Sequence, residues 1–426
     1  MASSSNRFTA APFKLITASS KDREARQGFP GDNIMFTFRL ASAFAFLLLV
    51  SACGSPSTTN SAATSPSSNP PASIAGSPVI VGLDWHLNSP STVILMRLDG
   101  SVIATRTLPA TWLPDEHAVG AYMLVANDGS GKAWTVDAFG AVAEVAPAAA
   151  KFLSLPTDGT GWASPLIVDS TSAVTVGWTN NSMTAYEVNL RNGAVKSLLT
   201  APGTGSMSLG NSLTVLDVSP DRKTVWLRKV TSTGATTGRL EIVGIDLTSG
   251  KATTQGQADA FLGEPDLAVT RDGKSVAGQE EFGTDSNSLA TRHLHVVQLD
   301  SQVDSDLQGN APYIGGQGSP SVLFAPGGTT VAWWGGLNNG DNPFLVNVAA
   351  IGGAGRSLFR LDNPGGTHEL KTVMWADRAT LVVQTDSTST PGSFQGSDLH
   401  AFTVDATSGA QKSLPAALHY VVAVLN

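Results

Sequence analysis

Short apolar runs separated by turns rich in Gly, Pro, Asp and Asn make up most of the chain from residue 78 onward. The pattern is most regular over residues 214–254. There, an apolar strand runs into the turn Ser219-Pro220-Asp221-Arg222, a second strand returns, and a third is turned into a fourth by Thr248-Ser249-Gly250. Alternating apolar positions bounded by turn residues predict antiparallel strands rather than helices. The sequence therefore predicts an all-β fold.

The four-strand pattern repeats along the chain. The first hairpin turn recurs at Ser170, Pro220, Arg271, Pro326 and Ala376, with spacings of 50, 51, 55 and 50 residues. The second hairpin turn recurs as an Asp or Asn followed by a Gly, which suits the positive φ of a tight turn. Groups of four strands at a period of about 40–55 residues predict a β-propeller, because one such sheet cannot bury both faces alone.

The predicted number of blades is seven, with six or eight as alternatives. The repeating units start near residues 78, 119, 162, 211, 263, 317 and 369. The first unit has only three strands, over 79–84, 92–98 and 102–107, whereas the chain ends in an unassigned apolar strand over 418–425. We expect this terminal strand to complete the first blade, because pairing would remove an exposed sheet edge.

Two of these motifs carry a family resemblance. The segments Ser219-Pro220-Asp221-Arg222-Lys223-Thr224-Val225 and Gly244-Ile245-Asp246-Leu247-Thr248-Ser249-Gly250-Lys251 resemble the blades of TolB-like, WD40-like bacterial propellers. Most other copies are degenerate, and Asp137-Ala138-Phe139-Gly140 is closer to the short blades of the streptogramin-lyase type. The resemblance implies a propeller over residues 78–426 and an extracytoplasmic interaction role. It carries no catalytic residue to this chain.

A lipoprotein signal is predicted ahead of the propeller. Met35 opens a stretch with Arg39 and an apolar core over 40–50, which is too short to span a bilayer about 30 Å thick as a helix. The stretch ends in Val50-Ser51-Ala52-Cys53, which resembles the bacterial lipobox. Residues 1–52 are thus interpreted as an extension and signal peptide with a true start at Met35, and Cys53 as a diacylglycerylated N-terminus. An ordinary signal peptide followed by a lone cysteine is the alternative.

Residues 53–77 are predicted to form the lipidated cysteine and a tether. From Gly54 to Ser77 the segment contains Ser, Thr, Pro, Ala and Asn and no charged residue, so it lacks the apolar area needed to fold. As a coil it would hold a domain roughly 25–30 Å from the anchor. We therefore expect an extracytoplasmic protein at the cell membrane or outer membrane. No acidic residue follows Cys53 closely enough to signal inner-membrane retention.

Charge and cysteine content exclude several classes of function. The chain has a net charge of −8, and the part after Cys53 carries 20 basic and 31 acidic side chains. That negative surface would repel phosphate backbones, so nucleic acid is not an expected partner. Cys53 is the only cysteine, which excludes an intrachain disulfide and a multi-cysteine metal site. No cofactor is predicted, and the chain is expected to be monomeric.

The recurring motifs are better explained by structure than by chemistry. Gly273-Lys274-Ser275 lies between two strands with no helix to face a phosphate, so a β-turn is predicted. Gly-x-Ser-x-Gly is absent, and the Asp128–Trp134 segment has the Asp of a sialidase Asp-box displaced by one residue. A tryptophan recurs in each of five units and predicts packing between blades, with a sugar-stacking platform as the alternative. These residues are Trp134, Trp178, Trp226, Trp333 and Trp375.

Some polar residues could nonetheless form an enzyme site. His293 and His295 are two apart on a predicted strand, and Glu280-Glu281 is the nearest acidic pair. Ring closure would bring together the units that contain His86, His117 and His419, with Asp84 and Asp115-Glu116 beside them. A solvated strand face and a scattered polar rim are the competing interpretations of these two groups.

Three functions follow from these patterns. The first is a lipid-anchored scaffold that binds a protein or an envelope polymer through its loop face. The second is a lyase or glycan hydrolase at the central channel, using residues among His86, His117, Glu280, Glu281, His293 and His295. The third is a purely structural envelope protein. The copies differ most at 231–238, 280–291 and 335–343, so we expect function to lie in those loops.

Overall fold

The computed structural model describes residues 77–425 with internal gaps. The gaps are 85–89, 108–111, 119–120, 127–131, 154–164, 179–181, 204–211, 233–236, 262–267, 285–289, 302, 308–321, 336–342, 365–366 and 388–397. Cys53, the predicted signal peptide and the predicted tether lie outside the described residues. None of the helices in the described part is long and apolar enough to cross a membrane.

Strands account for most of the regular structure. The first half of the chain contains β1 (Val79–Asp84), β2 (Thr92–Arg97), β3 (Val102–Thr107), β4 (Trp112–Ala118), β5 (Ala121–Ala126), β6 (Ala133–Asp137), β7 (Val142–Glu144), β8 (Leu166–Asp169), β9 (Ser172–Trp178), β10 (Ser182–Asn189), β11 (Val195–Pro202), β12 (Ser212–Val218), β13 (Thr224–Ser232), β14 (Thr237–Asp246) and β15 (Ala252–Phe261). One short helix, α1 (Pro147–Leu153), follows β7.

The second half continues the same pattern. It contains β16 (Ala268–Val269), β17 (Ser275–Thr284), β18 (Ala290–Gln298), β19 (Val303–Asp306), β20 (Val322–Phe324), β21 (Thr330–Gly335), β22 (Phe344–Ala350), β23 (Arg356–Leu361), β24 (His368–Trp375), β25 (Thr380–Ser387), β26 (Leu399–Asp405), β27 (Gln411–Ser413) and β28 (Tyr420–Leu425). A 3-10 turn, Ala416–Leu418, precedes β28. The all-β prediction is confirmed.

The described strands form seven four-stranded antiparallel sheets. We number them in chain order: sheet 1 is β28-β1-β2-β3, sheet 2 is β4–β7, sheet 3 is β8–β11, sheet 4 is β12–β15, sheet 5 is β16–β19, sheet 6 is β20–β23 and sheet 7 is β24–β27. Sheet 1 combines the two ends of the described chain, because Val79 pairs with Leu425 and Leu83 with Tyr420. The edge that β1 would otherwise expose is therefore covered.

The first edge strands of neighbouring sheets contact one another in cyclic order. The contacts run β28, β4, β8, β12, β16, β20, β24 and back to β28. Several four-stranded sheets packed side by side through their edge strands are the architecture of a β-propeller. The predicted start of the second repeating unit near residue 119 is wrong, because sheet 2 starts at Trp112. Pro114, Asp115 and Glu116 interrupt the apolar alternation of β4, so the sequence pattern hides this strand.

The two ends of the sheets differ. The turn face carries the hairpins between the first and second strands and between the third and fourth. These hairpins lie side by side: Lys196 Nζ of sheet 3 donates to Leu247 O in the turn of sheet 4 at 2.7 Å. The described chain also enters on this face, since Val79 is paired with Arg97 at the start of a hairpin turn. The opposite end, the loop face, receives the strand ends that flank the three variable loops predicted above.

Tryptophan side chains pack between sheets, as predicted. Trp134, Trp226, Trp333 and Trp375 are each at most 9% exposed. Trp134 of sheet 2 lies in a core cluster with residues of sheet 1, and Trp333 of sheet 6 lies in one with residues of sheet 5. Trp226 Nε1 donates to Arg271 O at 2.8 Å, and Trp375 Nε1 donates to Leu323 O at 3.1 Å, both across sheet boundaries. Trp178 is partly buried.

The turn at Gly273 shows why the hairpin motif requires glycine there. Gly273 has φ +71°, and its N–H donates to Thr270 O at 2.7 Å, which confirms the predicted β-turn. A Cβ at this position would lie 2.4 Å from Cη2 of Trp226. Glycine thus meets two requirements here: left-handed backbone and close approach of an indole ring.

Candidate functional site

The structure pairs some of the predicted enzyme residues through strand register. Glu280 and Glu281 lie in β17, and His293 and His295 lie in β18. Glu280 is directly opposite His293, and Glu281 is opposite Arg292. The side chains of Glu280, Glu281 and His293 lie outside what is described, whereas His295 is half-buried.

Among the described residues, His117 is not brought together with these residues of sheet 5. His117 lies in β4 of sheet 2, and sheets 3 and 4 separate it from sheet 5. It is the sixth residue of that strand, near the turn face, whereas His419 directly precedes β28 at the loop face. The strand positions therefore place the backbones of His117 and His419 at opposite ends of neighbouring sheets, and a shared site that includes His86 stays a prediction. His86 lies outside the described residues.

A different polar cluster occupies the loop-face end of the boundary between sheets 7 and 1. It consists of Glu369, Lys371, Asp386 and Tyr420, and we call it the seam cluster. Lys371 Nζ lies 2.6 Å from Glu369 Oε2 and 3.8 Å from Asp386 Oδ2. The Asp386 side chain is only 1% exposed, and that of Lys371 is 25% exposed. A lysine thus bridges a buried carboxylate and a more exposed one.

A bulge in β24 positions Lys371. Leu370 pairs with Thr385 and Thr372 pairs with Gln384, so Lys371 is an extra residue without a register partner. Such a bulge bends the strand and redirects a side chain. Glu369 is paired with Asp386, which places both acidic residues at the same level of the sheet.

Tyr420, the first residue of β28, completes the seam cluster. Burial raises the pKa of its phenol, the negative charge of Asp386 raises it further, and the charge of Lys371 opposes both effects. The phenol therefore remains protonated at neutral pH and can donate a hydrogen bond. Together the cluster offers a cation, two carboxylates and an aromatic hydroxyl within one small region.

Gln384 fixes the start of β28 beside the cluster. Its Oε1 accepts a hydrogen bond from Val421 N at 2.9 Å, and its Nε2 donates to His419 O. His419 has a positive φ of 50°, and its Nδ1 is 3.5 Å from Asp84 Oδ1 at the end of β1. Main-chain and side-chain contacts from sheets 7 and 1 thus hold Tyr420 in place.

The sequence gives little sign of this cluster. Glu369 and Lys371 look like an ordinary alternating strand, and Asp386 lies in a separate strand. Tyr420 is more than thirty residues further along. Only the one-residue bulge and the pairing of sheets bring them together. The useful signal would have been Asp386, an acidic residue shortly after the apolar run Leu381–Val383 of β25.

A second polar pair lies near the turn face. Asp217 Oδ2 is 3.6 Å from Arg271 Nε, between sheets 4 and 5. Burial raises the pKa of the Asp217 carboxyl, and the Arg271 charge and the hydrogen bond from Val218 N partly offset this effect. The pair lies next to the Trp226–Arg271 hydrogen bond and has a structural explanation. Within the described part of the chain, no three His, Cys, Asp or Glu side chains are grouped closely enough to hold a metal ion.

Comparison with known proteins finds only distant structural similarity. No family model and no curated protein matches the chain. Solved structures that resemble it include an oligogalacturonate lyase in complex with manganese, with 14% identity over 72% of both chains and a TM-score of 0.44. TolB from Acinetobacter baumannii has 12% identity over 79% of both chains and a TM-score of 0.38. A puromycin-hydrolyzing peptidase of Mycobacterium tuberculosis has 13% identity, with 81% of this chain but only 54% of the peptidase covered, and a TM-score of 0.42. Similarity this low carries no information on activity, substrate or partner.

Proposed function

We propose that this protein is a lipid-anchored, extracytoplasmic, seven-bladed β-propeller that binds a protein or an envelope polymer through its loop face. The seven described sheets and the pairing of β28 with β1 support a ring closed by the C-terminal strand. The lipobox at Val50–Cys53 supports the anchor. In this proposal the seam cluster contributes the binding residues.

The pairing of the buried Asp386 carboxylate with the half-buried Lys371 is the observation that carries the binding role. Burying two charges usually costs more free energy than their attraction returns, and apolar residues of similar size would serve stability as well or better. Such a pair, with Lys371 in the edge strand β24 and Asp386 in the neighbouring strand β25, is therefore a functional candidate. Its donors and acceptors, together with the ring of Tyr420, suit a ligand rich in hydroxyl or amide groups.

The position of chain entry favours the loop face as the binding face. Val79 enters on the turn face, so a tether from Cys53 would approach there. The loop face, at the other end of the strands, would then be free to meet a partner in the envelope. We propose attachment at the cell membrane or outer membrane.

Site-specific photo-crosslinking in cells tests the binding face. A photoreactive amino acid in place of His400, exposed at the loop-face end of β26, should give covalent adducts with envelope protein or polymer. The same residue in place of Thr407, exposed in the turn after β26, is the matched control. Adducts confined to position 407, or none at 400, would overturn the proposed binding face.

Variants of the seam cluster test the site itself. Lys371→Met and Asp386→Asn should reduce crosslinking from position 400. The control variants Lys274→Met and Asp272→Asn remove an ion pair of similar N–O distance, 3.9 Å, on the turn face. Equal crosslinking in all four variants, each shown by circular dichroism to be folded, would remove the seam cluster from the site.

The anchor is tested separately. Mass spectrometry of the N-terminal peptide and labelling with radioactive palmitate should show acylated Cys53 in the native chain and none in Cys53→Ser. Unchanged membrane partitioning of Cys53→Ser would argue against a lipid anchor.

The direct pairing of Glu280 with His293 keeps an enzyme as the second candidate. An acidic residue opposite an imidazole could serve general acid–base chemistry in a lyase or glycan hydrolase. Incubation of the protein with isolated cell-wall polymers and uronate polysaccharides should then release unsaturated or reducing ends. The activity should disappear in Glu280→Gln and His293→Asn but persist in Lys274→Met.

A further inference from the structure

We propose that a second binding site lies on the side of sheet 7 opposite the seam cluster and takes a primary ammonium group, that of a lysine side chain in a protein partner. The site consists of Thr367, His368, Ser387 and Asp398, and we call it the His368 site. This proposal deepens the proposed function and rests on it for the loop face as the binding face, because it names the chemistry of the partner.

Strand register places His368 beside Ser387 at the loop-face end of sheet 7. The two residues are directly paired between β24 and β25, and both are half-buried. Ser387 lies four residues after Val383, which packs in the core cluster shared by sheets 6 and 7. Because side chains alternate along a strand, the pair lies on the side of sheet 6. Asp386 of the seam cluster, one residue earlier, lies on the side of sheet 1.

The pair is of the kind that brings two side chains close together. Ser387 N donates to Asp398 O at 3.2 Å, on the side away from β24. His368 N donates to Asn363 Oδ1 at 2.8 Å and not to β25. His368 and Ser387 therefore form a non-hydrogen-bonded pair, in which Cα atoms are about 4.5 Å apart and side chains are closer than in hydrogen-bonded pairs.

Thr367 fixes the tautomer of the His368 ring. The Thr367 hydroxyl donates its proton to Pro364 O at 2.7 Å, because a carbonyl oxygen can only accept. The same hydroxyl oxygen is 3.0 Å from His368 Nδ1, so Nδ1 carries the ring proton and donates it there. In the neutral imidazole, Nε2 is then an acceptor. Among the described residues, none forms a hydrogen bond with this nitrogen.

Ser387 and Asp398 add further acceptors to the site. Ser387 Oγ donates its proton to Asp398 Oδ2 at 2.8 Å, which leaves the lone pairs of Oγ for a ligand. Asp398 Oδ1 lies 3.1 Å from His400 Nε2, and a carboxylate has about four acceptor positions in all. The hydroxyl and ring protons of the site are thus already donated, whereas three of its residues can still accept.

An ammonium group matches this set of acceptors. It has three donors and no acceptor, whereas a sugar hydroxyl also requires a donor for its own oxygen. The charge of Asp398 and the excess of 31 acidic over 20 basic side chains after Cys53 attract a cation. A metal ion is disfavoured, because the described part of the chain groups no three His, Cys, Asp or Glu side chains closely enough to hold one.

An apolar side chain beside the acceptors favours lysine as the source of the ammonium group. Leu370 lies two residues after His368 in β24, is paired with Thr385, and packs against the core cluster shared by sheets 6 and 7. It is half-buried, so part of its surface remains accessible. The methylene stem of a lysine can cover such a surface while its ammonium group binds the polar atoms.

Nitrogen-15 NMR of the folded protein tests the tautomer. At about pH 8, where histidine side chains are neutral, His368 should show a protonated Nδ1 and an unprotonated Nε2, with the resonances assigned through His368→Gln. Thr367→Val should release the ring to the other tautomer, whereas Thr367→Ser should retain the native one. A proton on Nε2 in the native protein, or an unchanged tautomer in Thr367→Val, would overturn the proposal.

Titration of the purified protein with amines tests the ligand. Nα-acetyl-lysine amide should shift the Nε2 resonance of His368. Its trimethylated form keeps the charge but has no N–H, and should bind at least about tenfold more weakly. Methyl glucosaminide, which carries its ammonium group among ring hydroxyls, should also bind more weakly. Equal binding of the trimethylated compound, or tighter binding of the glucosaminide, would overturn the assignment to a lysine side chain.

Matched variants locate the binding of the lysine amide. Ser387→Ala and Asp398→Asn should each lower the affinity by about tenfold or more. Ser408→Ala and Asp405→Asn remove an equivalent hydrogen bond of 2.7 Å at the turn face and should leave the affinity unchanged. Equal losses in both pairs, with every variant shown by circular dichroism to be folded, would overturn the site. Because these titrations use purified protein, their failure is distinguishable from failure of the proposed binding face, which crosslinking in cells reports.

Discussion

Lys412 Nζ donates a hydrogen bond to Asp99 O at 3.1 Å, although 313 residues separate them in the chain. Lys412 is the second residue of β27, the outermost strand of sheet 7. Asp99 lies in the hairpin turn between β2 and β3 of sheet 1. The same kind of contact joins Lys196 to Leu247 O between sheets 3 and 4, and Arg356 to Thr407 O between sheets 6 and 7. The boundary between the two ends of the chain is therefore built like the boundaries between consecutive sheets.

The pairing of β28 with β1 should be essential for stability. Ala423 is fully buried and paired with Val81, so Ala423→Asp would place an unpaired charge between sheets. We expect the free energy of unfolding to fall by at least about 3 kcal/mol. Ala252→Asp, at an exposed strand end, should change it by about 0.5 kcal/mol or less. Urea denaturation measures both, and similar small losses would contradict closure by the terminal strand.

Two glycines with nearly the same φ allow the energetic cost of steric contact to be measured separately from the cost of backbone strain. Gly273 has φ +71° and packs on Trp226, whereas Gly352 has φ +75° and nothing within 4 Å of a built Cβ. Gly352→Ala should cost about 1 kcal/mol of unfolding free energy from strain alone. Gly273→Ala should cost about 1–3 kcal/mol more because the methyl group displaces the indole. Thermal denaturation with tryptophan fluorescence compares them, and equal losses would mean that the indole moves freely.

The turns and the general fold were accessible from sequence because their chemistry is local. Asp or Asn followed by Gly specifies a hairpin wherever it occurs, and the unpaired strand at the C-terminus indicated how sheet 1 is completed. The seam cluster was not accessible, because a one-residue bulge at Lys371 decides which side chains face each other across β24 and β25. The paired residues Glu280 and His293 were noticed, but their register was not predictable. The start of sheet 2 at Trp112 was not accessible, because β4 lacks the apolar alternation that reveals a strand.

Two aspartates should make opposite contributions to the pH dependence of stability. Burial raises the pKa of Asp217 above its ordinary 3.8, so its contribution is present below that value and is lost as pH rises through the higher folded pKa. Hydrogen bonds from Ser249 lower the pKa of Asp246, so its contribution is present above 3.8 and is lost as pH falls through the lower folded pKa. Unfolding free energies of the native protein, Asp217→Asn and Asp246→Asn across this range should give differences from native of opposite slope. Parallel profiles would contradict a raised pKa of Asp217 in the folded protein.

The interaction between Lys371 and Asp386 should far exceed that of a surface pair with the same geometry. The N–O distances are 3.8 Å for Lys371–Asp386 and 3.9 Å for Lys274–Asp272, but Asp386 is 1% exposed and Asp272 is 57% exposed. Removal of Lys371 leaves the charge of Asp386 buried beside Tyr420, whereas water solvates Asp272 when Lys274 is removed. A double-mutant cycle with Lys371→Met and Asp386→Asn should give a coupling free energy of roughly 1–3 kcal/mol. The corresponding cycle with Lys274→Met and Asp272→Asn should give about 0.5 kcal/mol or less.

The phenol of Tyr420 gives an independent measurement: its absorbance titration should move to lower pH in Asp386→Asn, because the negative charge that raises its pKa is gone. Equal coupling in the two cycles with an unmoved tyrosine titration would mean that water reaches Asp386, and the seam cluster would then lose its distinction from the exposed turns.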